Sequence, residues 1–186
     1  MNKTAHLSKR IMFVGNFCNV FSCLKETFEA DIYWTHNGFN IDDKKTRKIL
    51  AEYSIQYDVV LIYDYTGKNS QLQLLKEITK LWEDQTRKTG NIIVKGSTLT
   101  YRENHNKIGE TSDYSALDAY IKLYSKKSSY KNDFKVTNIK IDKIGHEQRP
   151  TLEGSVPPQI FISTVQFIID FPKQSMITEI VIESTN

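Results

Sequence analysis

Apolar residues along this chain fall into two alternating patterns: short dense runs, and longer stretches in which they recur every three or four positions. "RIMFVG" (10–15), "DIYW" (31–34), "DVVLIYDY" (58–65) and "NIIVKGS" (91–97) are dense runs and predict strands. The β-branched run at 58–65 has the composition of a strand covered on both faces. "FKVTNIKID" (134–142) alternates like a strand, and "SMITEIVIEST" (175–185) predicts a last one. The intervening stretches have helical spacing. In "NSQLQLLKEITKLWEDQTRK" (69–88), Leu72, Leu75, Ile78, Leu81 and Trp82 line one face and leave Lys and Glu outside, with Gly90 as the expected stop. In 112–127 the same spacing runs through Leu117, Tyr120, Ile121 and Tyr124. Shorter helices are expected at 20–29, at 41–54, where acids precede bases as the helix dipole favours, and at 159–171, with Pro158 near its start.

Strands that alternate with helices need crossover connections, and hence a parallel sheet. The expected fold is therefore α/β: a Rossmann-like, doubly wound, mostly parallel sheet flanked by helices on both faces. It forms a single domain over 1–186, with an N-terminal tail at 1–9 and an irregular loop at 143–158. Sheets of this kind bind ligands beyond the carboxyl ends of their strands. The residues just after each strand are thus the candidates for chemistry.

Composition narrows the function classes. With 39% hydrophobic residues, 25% charged residues and a net charge of +3, the chain reads as an ordinary globular protein. Acids interrupt its bases, so no nucleic-acid surface is expected; the basic segment 122–135 reads as a solvated helix end and loop. Cys18 and Cys23 have no further ligands nearby, so no metal site is expected, and two thiols suit a reducing cytoplasm. "MNKTAHLSKR" before "IMFVGNFCNVF" mimics a signal peptide. Two asparagines break the apolar part, however, and no small-x-small cleavage site follows. No segment is long enough to span a bilayer.

Several local words, in this order, resemble the short-chain dehydrogenase/reductase family. "YDVVLIYDYTG" leads into a long helix. "GNIIVKGSTLTY" resembles the strand that bears the family's catalytic hydroxyl, and "DYSALDAYIK" the helix that bears its catalytic tyrosine. "FKVTNIKID" is similar to the next strand, and "TVQFIIDFPKQSMITEIVIEST" to the closing helix and strand. The resemblance covers nearly the whole chain, in a shortened and divergent form, and implies a site for NAD(P) and a carbonyl or hydroxyl substrate.

The resemblance also assigns working residues, and these depart from the family pattern. Its glycine-rich turn, TGxxxGxG, corresponds to Val14-Gly15-Asn16-Phe17-Cys18-Asn19-Val20-Phe21, where only Gly15 matches. Those glycines let the backbone approach a pyrophosphate, and Phe21 fills one of their places. Gly15, Asn16 and Asn19 remain candidate cofactor contacts. After the second strand His36 could meet a phosphate or be a plain loop residue; at the NNAG position Asp64 could accept a ribose hydroxyl or cap a helix. The catalytic hydroxyl falls on Ser97 or Thr98, and the catalytic tyrosine on Tyr114. The family's lysine four residues on, which lowers the phenol's pKa and holds the nicotinamide ribose, is replaced by Asp118. Lys122 lies about 12 Å along the helix axis and could substitute only in a different geometry. A proline-glycine pair expected after "VTNIK" is Ile141-Asp142.

Framework positions thus persist while cofactor positions change. The first functional reading is a short-chain-dehydrogenase-like pseudoenzyme, with no cofactor expected, serving as a binding, regulatory or assembly module. The resemblance implies a homodimer through the helices near 69–88 and 112–127. The alternative is an atypical NAD(P)-dependent oxidoreductase in which Thr98 or Ser97 polarises a carbonyl and Tyr114 donates the proton, aided by Lys122 or another cation. A nucleic-acid or nucleotide-sugar binder would rest only on the ten tyrosines and the mild positive charge.

Overall fold

The computed structural model describes residues 9–15, 20–28, 30–33, 38–63, 69–84, 89–98, 108–128, 134–141, 144, 155–172 and 175–184, with the backbone alone at 21–22, 30–33, 108–111 and 126–128. Among the described residues eleven elements follow one another: β1 (Ile11–Gly15), α1 (Val20–Thr27), β2 (Ala30–Tyr33), α2 (Lys44–Ser54), β3 (Val59–Tyr63), α3 (Ser70–Asp84), β4 (Gly90–Gly96), α4 (Ile108–Ser128), β5 (Phe134–Ile141), α5 (Pro158–Asp170) and β6 (Glu179–Ile182). The six strands form one sheet in the order β2-β1-β3-β4-β5-β6, and every pairing is parallel. This is the doubly wound α/β architecture that the alternation predicts. Its strand order reverses between β1 and β3, so the switch point lies where Gly15 pairs with Tyr63.

The two faces carry separate cores. Met12, Val14, Val60, Ile62, Ile92, Val94 and Val136 meet Leu50 of α2, Leu75, Ile78 and Trp82 of α3, and Leu117 and Ile121 of α4. On the opposite face Ile11, Phe13, Val59, Leu61, Ile93 and Ile139 meet Leu24 of α1 and Phe161, Val165 and Ile168 of α5. Burial of both faces explains why β1 and β3 read as unbroken apolar runs.

The placement of α5 has a topological meaning. From β3 to β6 the chain steps in one direction across the sheet, so crossovers of a single hand would place α3, α4 and α5 on one face. Instead α5 lies beside α1 on the other face. Parallel crossovers are almost always right-handed. With α3 and α4 connected that way, the β5–α5–β6 crossover is left-handed.

Several boundaries differ from the sequence expectation. Asp43 precedes α2 as its N-cap and accepts a hydrogen bond from Thr46 N at 2.9 Å, which holds its carboxyl below the usual range. The acids of 41–43 therefore sit ahead of the helix rather than in its first turn. Helix α4 begins at Ile108, ahead of the expected start at Ser112, and β6 has four residues rather than the whole of 175–185. The expected irregular loop is tied at its ends: Ile144 bridges Val156, and Pro158 opens α5 behind Pro157. Residues 145–154 between them lie outside the described residues.

Gly90, the expected stop of α3, opens β4; α3 is described to Asp84, and 85–88 lie outside the described residues. A side chain there has no room, because an added Cβ would lie 2.5 Å from Cζ3 of Trp82. That indole is fully buried, donates to Ser54 Oγ at 2.8 Å and meets Phe134 edge-on. Gly90→Ala is therefore expected to cost about 1–3 kcal/mol by overpacking. Chemical denaturation followed by tryptophan fluorescence checks this, with an unchanged midpoint as the contrary result.

Candidate functional site

The carboxyl ends of β1, β3 and β4 meet at the switch point. At Gly15 an added Cβ would overlap the Tyr63 carbonyl oxygen, so packing between neighbouring strands by itself requires glycine there. The Tyr63 ring is buried, tilted against Phe13 and edge-on to Phe161. Gln71, in the first turn of α3, is buried and donates from Nε2 to Ile62 O at 3.3 Å and to Lys95 O at 2.8 Å. One amide thus closes the seam between the ends of β3 and β4, using carbonyls that lie at the limit of the ladder.

Lys95 is the unexpected member of this group. It sits in β4, shows 0% exposure, and its Nζ lies 5.8 Å from the ring centroids of both Tyr63 and Tyr114. Lysine is almost never buried so completely. Its ammonium lies within the range of cation–π attraction to two aromatic faces. Just beyond it, Ser97 and Thr98 are also buried, and Thr98 Oγ1 has no hydrogen-bond partner among the described residues. A buried hydroxyl left without a partner costs about 1–3 kcal/mol, so its position at a strand's carboxyl end marks it as a candidate ligand contact.

The position one turn after Tyr114 is occupied in another way. Asp118 is buried and accepts from Asn138 Nδ2 at 2.6 Å, while its other oxygen contacts Lys140 Nζ. Lys140, with 0% exposure, also reaches Glu179 Oε2 of β6 at 3.0 Å. Lys122 is exposed and lies 3.9 Å from the same Glu179 oxygen. A polar network thus joins α4, β5 and β6. Nearby Tyr120 donates to or accepts from Thr79 Oγ1 at 2.8 Å; burial pushes its phenol up, the Thr79 bond opposes this, and Glu83 adds to it.

The structure therefore brings Lys95, Ser97, Thr98 and Tyr114 to one end of the sheet and directs Lys122 toward β6. Gly15 is at the switch point. Asn16, Asn19, His36 and Asp64 lie outside the described residues, as does the side chain of Phe21. Among the described residues, no group of three His, Cys, Asp or Glu is placed to hold a metal ion, and no helix is long and apolar enough to cross a membrane. Lys95 in β4 and Asn138 and Lys140 in β5 escape the sequence reading, which names site residues after the strands and none inside these two. All three are buried, at most 1% exposed. The available signal was a lysine inside each of two strands, "NIIVKG" and "VTNIKI", in a sheet expected to be covered on both faces.

The nicotinamide grip of the resembled family needs a lysine where Asp118 stands. That carboxylate is already committed to Lys140 and Asn138, so the described residues do not fit this grip. The network itself is open to test. Removing Asp118 leaves the buried Lys140 with Glu179 alone and takes the acceptor from Asn138 Nδ2, and Asp118→Ala is expected to cost about 3 kcal/mol. Adding Lys140→Met to it should recover part of that loss in a denaturation series. A double variant no more stable than Asp118→Ala would contradict this pairing.

No family model and no curated protein matches the sequence. Solved structures do resemble the fold. Serine dehydrogenase from Escherichia coli superposes with a TM-score of 0.67 at 10% identity, covering 95% of this chain and 87% of its own. A Burkholderia xenovorans protein described as a short-chain dehydrogenase/reductase gives 0.72 at 11% identity, covering 95% of each chain. A 4-hydroxyisoleucine dehydrogenase complexed with NADH gives 0.68 at 15% identity, covering 93% of this chain and 96% of its own. At such identities the likeness concerns architecture, and this chain has the fold of the short-chain dehydrogenases/reductases.

Proposed function

We propose that the protein is a short-chain-dehydrogenase-like binding or assembly module that does not run the nicotinamide reaction of its structural neighbours. One observation carries this reading: the site one turn after Tyr114 holds a carboxylate, and that carboxylate is bound into the Lys140–Asn138 network. The seam between β3 and β4 is filled by Tyr63, Gln71 and Lys95. A cytoplasmic setting suits the half-buried thiol of Cys23.

The direct test is a titration with NADH and with NADPH, read as melting temperature and as tryptophan fluorescence. Binding at a hundredfold excess over Kd would add about 2.7 kcal/mol of stability, a rise of several degrees. No rise with either nucleotide is expected, and a saturable rise would overturn this reading. The assembly half draws on α4, where Ser112, Ala116, Ala119 and Leu123 share an exposed face, with Leu123 70% exposed. Sedimentation should show a homodimer that Leu123→Glu converts to monomer. A wild-type monomer would remove that half.

A second reading is favoured by one specific observation, the buried Thr98 hydroxyl at the carboxyl end of β4, which has no hydrogen-bond partner among the described residues, three positions after the lysine that lies near the Tyr114 ring. These are the groups that an oxidoreductase acting on a carbonyl or alcohol uses to hold oxygen and move a proton. It would need a dinucleotide grip different from that of the family.

A further inference from the structure

Strand β5 holds more than the strands beside it. Lys135 and Thr137, two residues apart and so on one face, reach the chain that connects α5 to β6. Thr137 Oγ1 donates to Ile177 O at 2.6 Å, and Asn138 N donates to Thr178 O at 2.9 Å, just ahead of β6. Lys135 makes the first bonds of this seam: its Nζ donates to Pro172 O at 2.7 Å and to Ser175 O. Ser175 N also donates to Pro172 O, at 3.0 Å, so the ammonium grips both ends of one tight turn. About one helical turn before Pro172, Lys9 Nζ reaches in from ahead of β1 and donates to Ile169 O at 2.6 Å. Two cations thus converge on the carbonyl end of α5 and the turn that follows it.

Neither ammonium has a carboxylate partner among the described residues. Of the other charged groups at this end, Arg10 lies over the Tyr57 ring, Asp58 accepts from Arg10 N, and Asp170 accepts from Gln166 Nε2. Burial, with the charge of Lys9 in addition, holds the Lys135 ammonium below the usual lysine range. A larger share of this amine than of an ordinary one is therefore unprotonated near neutral pH. The nitrogen is within reach of solvent, since Lys135 is half-buried and both Pro172 and Ser175 are exposed. An ammonium has three donors. Without one proton the nitrogen keeps two, one for each carbonyl, and its lone pair points away from both.

We propose that Lys135 is a site of acylation by small acyl thioesters, and that acylation releases the turn that leads into β6. The amine lone pair attacks the thioester carbonyl carbon; the C–N bond forms, the C–S bond breaks, and the departing thiolate takes up the surplus amine proton through solvent. The product is a secondary amide with a single N–H. It can hold Pro172 O or Ser175 O but not both, and the positive charge beside the end of α5 is gone. The loss falls on the seam that carries Glu179 to Lys140. This inference goes beyond both functional readings above and needs no nucleotide.

The test treats the folded protein at neutral pH with limiting S-acetyl-N-acetylcysteamine and follows each lysine by peptide mass spectrometry. Exposed Lys44, Lys45, Lys48 and Lys80 serve as references. Lys135 should be acylated several-fold faster than these. Lys9→Gln removes the neighbouring charge and should slow Lys135, whereas Lys9→Arg should not. A Lys135 rate at or below the references overturns the site, and this comparison needs no variant. A rate unchanged in Lys9→Gln overturns the pairing of the two cations. Hydrogen exchange then reads the second half: after acylation, amides at 175–182 should exchange several-fold faster, while those of β1 and β3 stay protected. Lys135→Arg, treated identically, should show no such change. Unaltered exchange at 175–182 in protein fully acylated at Lys135 overturns the release of the turn, as does equal loosening in treated Lys135→Arg.

Discussion

Strands β1 and β3 approach each other so closely at Gly15 that even one methyl group would overlap the Tyr63 carbonyl. The rest of the site is arranged around that approach. It fixes the end of β3, whose Tyr63 ring packs inward against Phe13 and Phe161. The same ring offers its face to Lys95, whose carbonyl is held by Gln71. In a dinucleotide-binding sheet, a glycine at this point serves a phosphate. Here the demand of strand packing is sufficient reason for it, so its survival says nothing about a bound nucleotide.

Two lysines are buried in the middle strands of this sheet, and they are handled differently. Lys140 is compensated by two carboxylates, Asp118 and Glu179. This is the arrangement that a desolvated charge requires. Lys95 is placed between two aromatic faces at the end of β4. The first arrangement ties α4 to the β5–β6 edge and consumes the carboxylate that stands one turn after Tyr114.

The fold was legible because parallel strands buried on both faces leave dense apolar runs, as at Ile11–Gly15 and Val59–Tyr63. Helix spacing in α3 and α4 was equally clear. Element ends were less so. Asp43 caps α2 from outside through a local bond from Thr46 N, and Gly90 lies in β4, where Trp82 leaves no room for a side chain. The candidate hydroxyls and Tyr114 were named from order along the chain. Lys95 was not, since its partnership with Tyr114 depends on how α4 lies across the end of β4, a relation that no local spacing encodes. The loop positions at Asn16, Asn19, His36 and Asp64 carry the phosphate side of the question and fall outside the described residues.

The reversed hand of the last crossover has a consequence for biosynthesis. Until α5 is made, α1 is the helix among the described residues that covers the face built from Phe13, Leu61 and Ile93, because α2, α3 and α4 lie on the other side. Once β5 is made, the face under α2, α3 and α4 has its helices, whereas the opposite face still awaits α5. Such surfaces attract chaperones or one another. The closing segment, Pro158 to Ile182, sheathes that sheet only at the end.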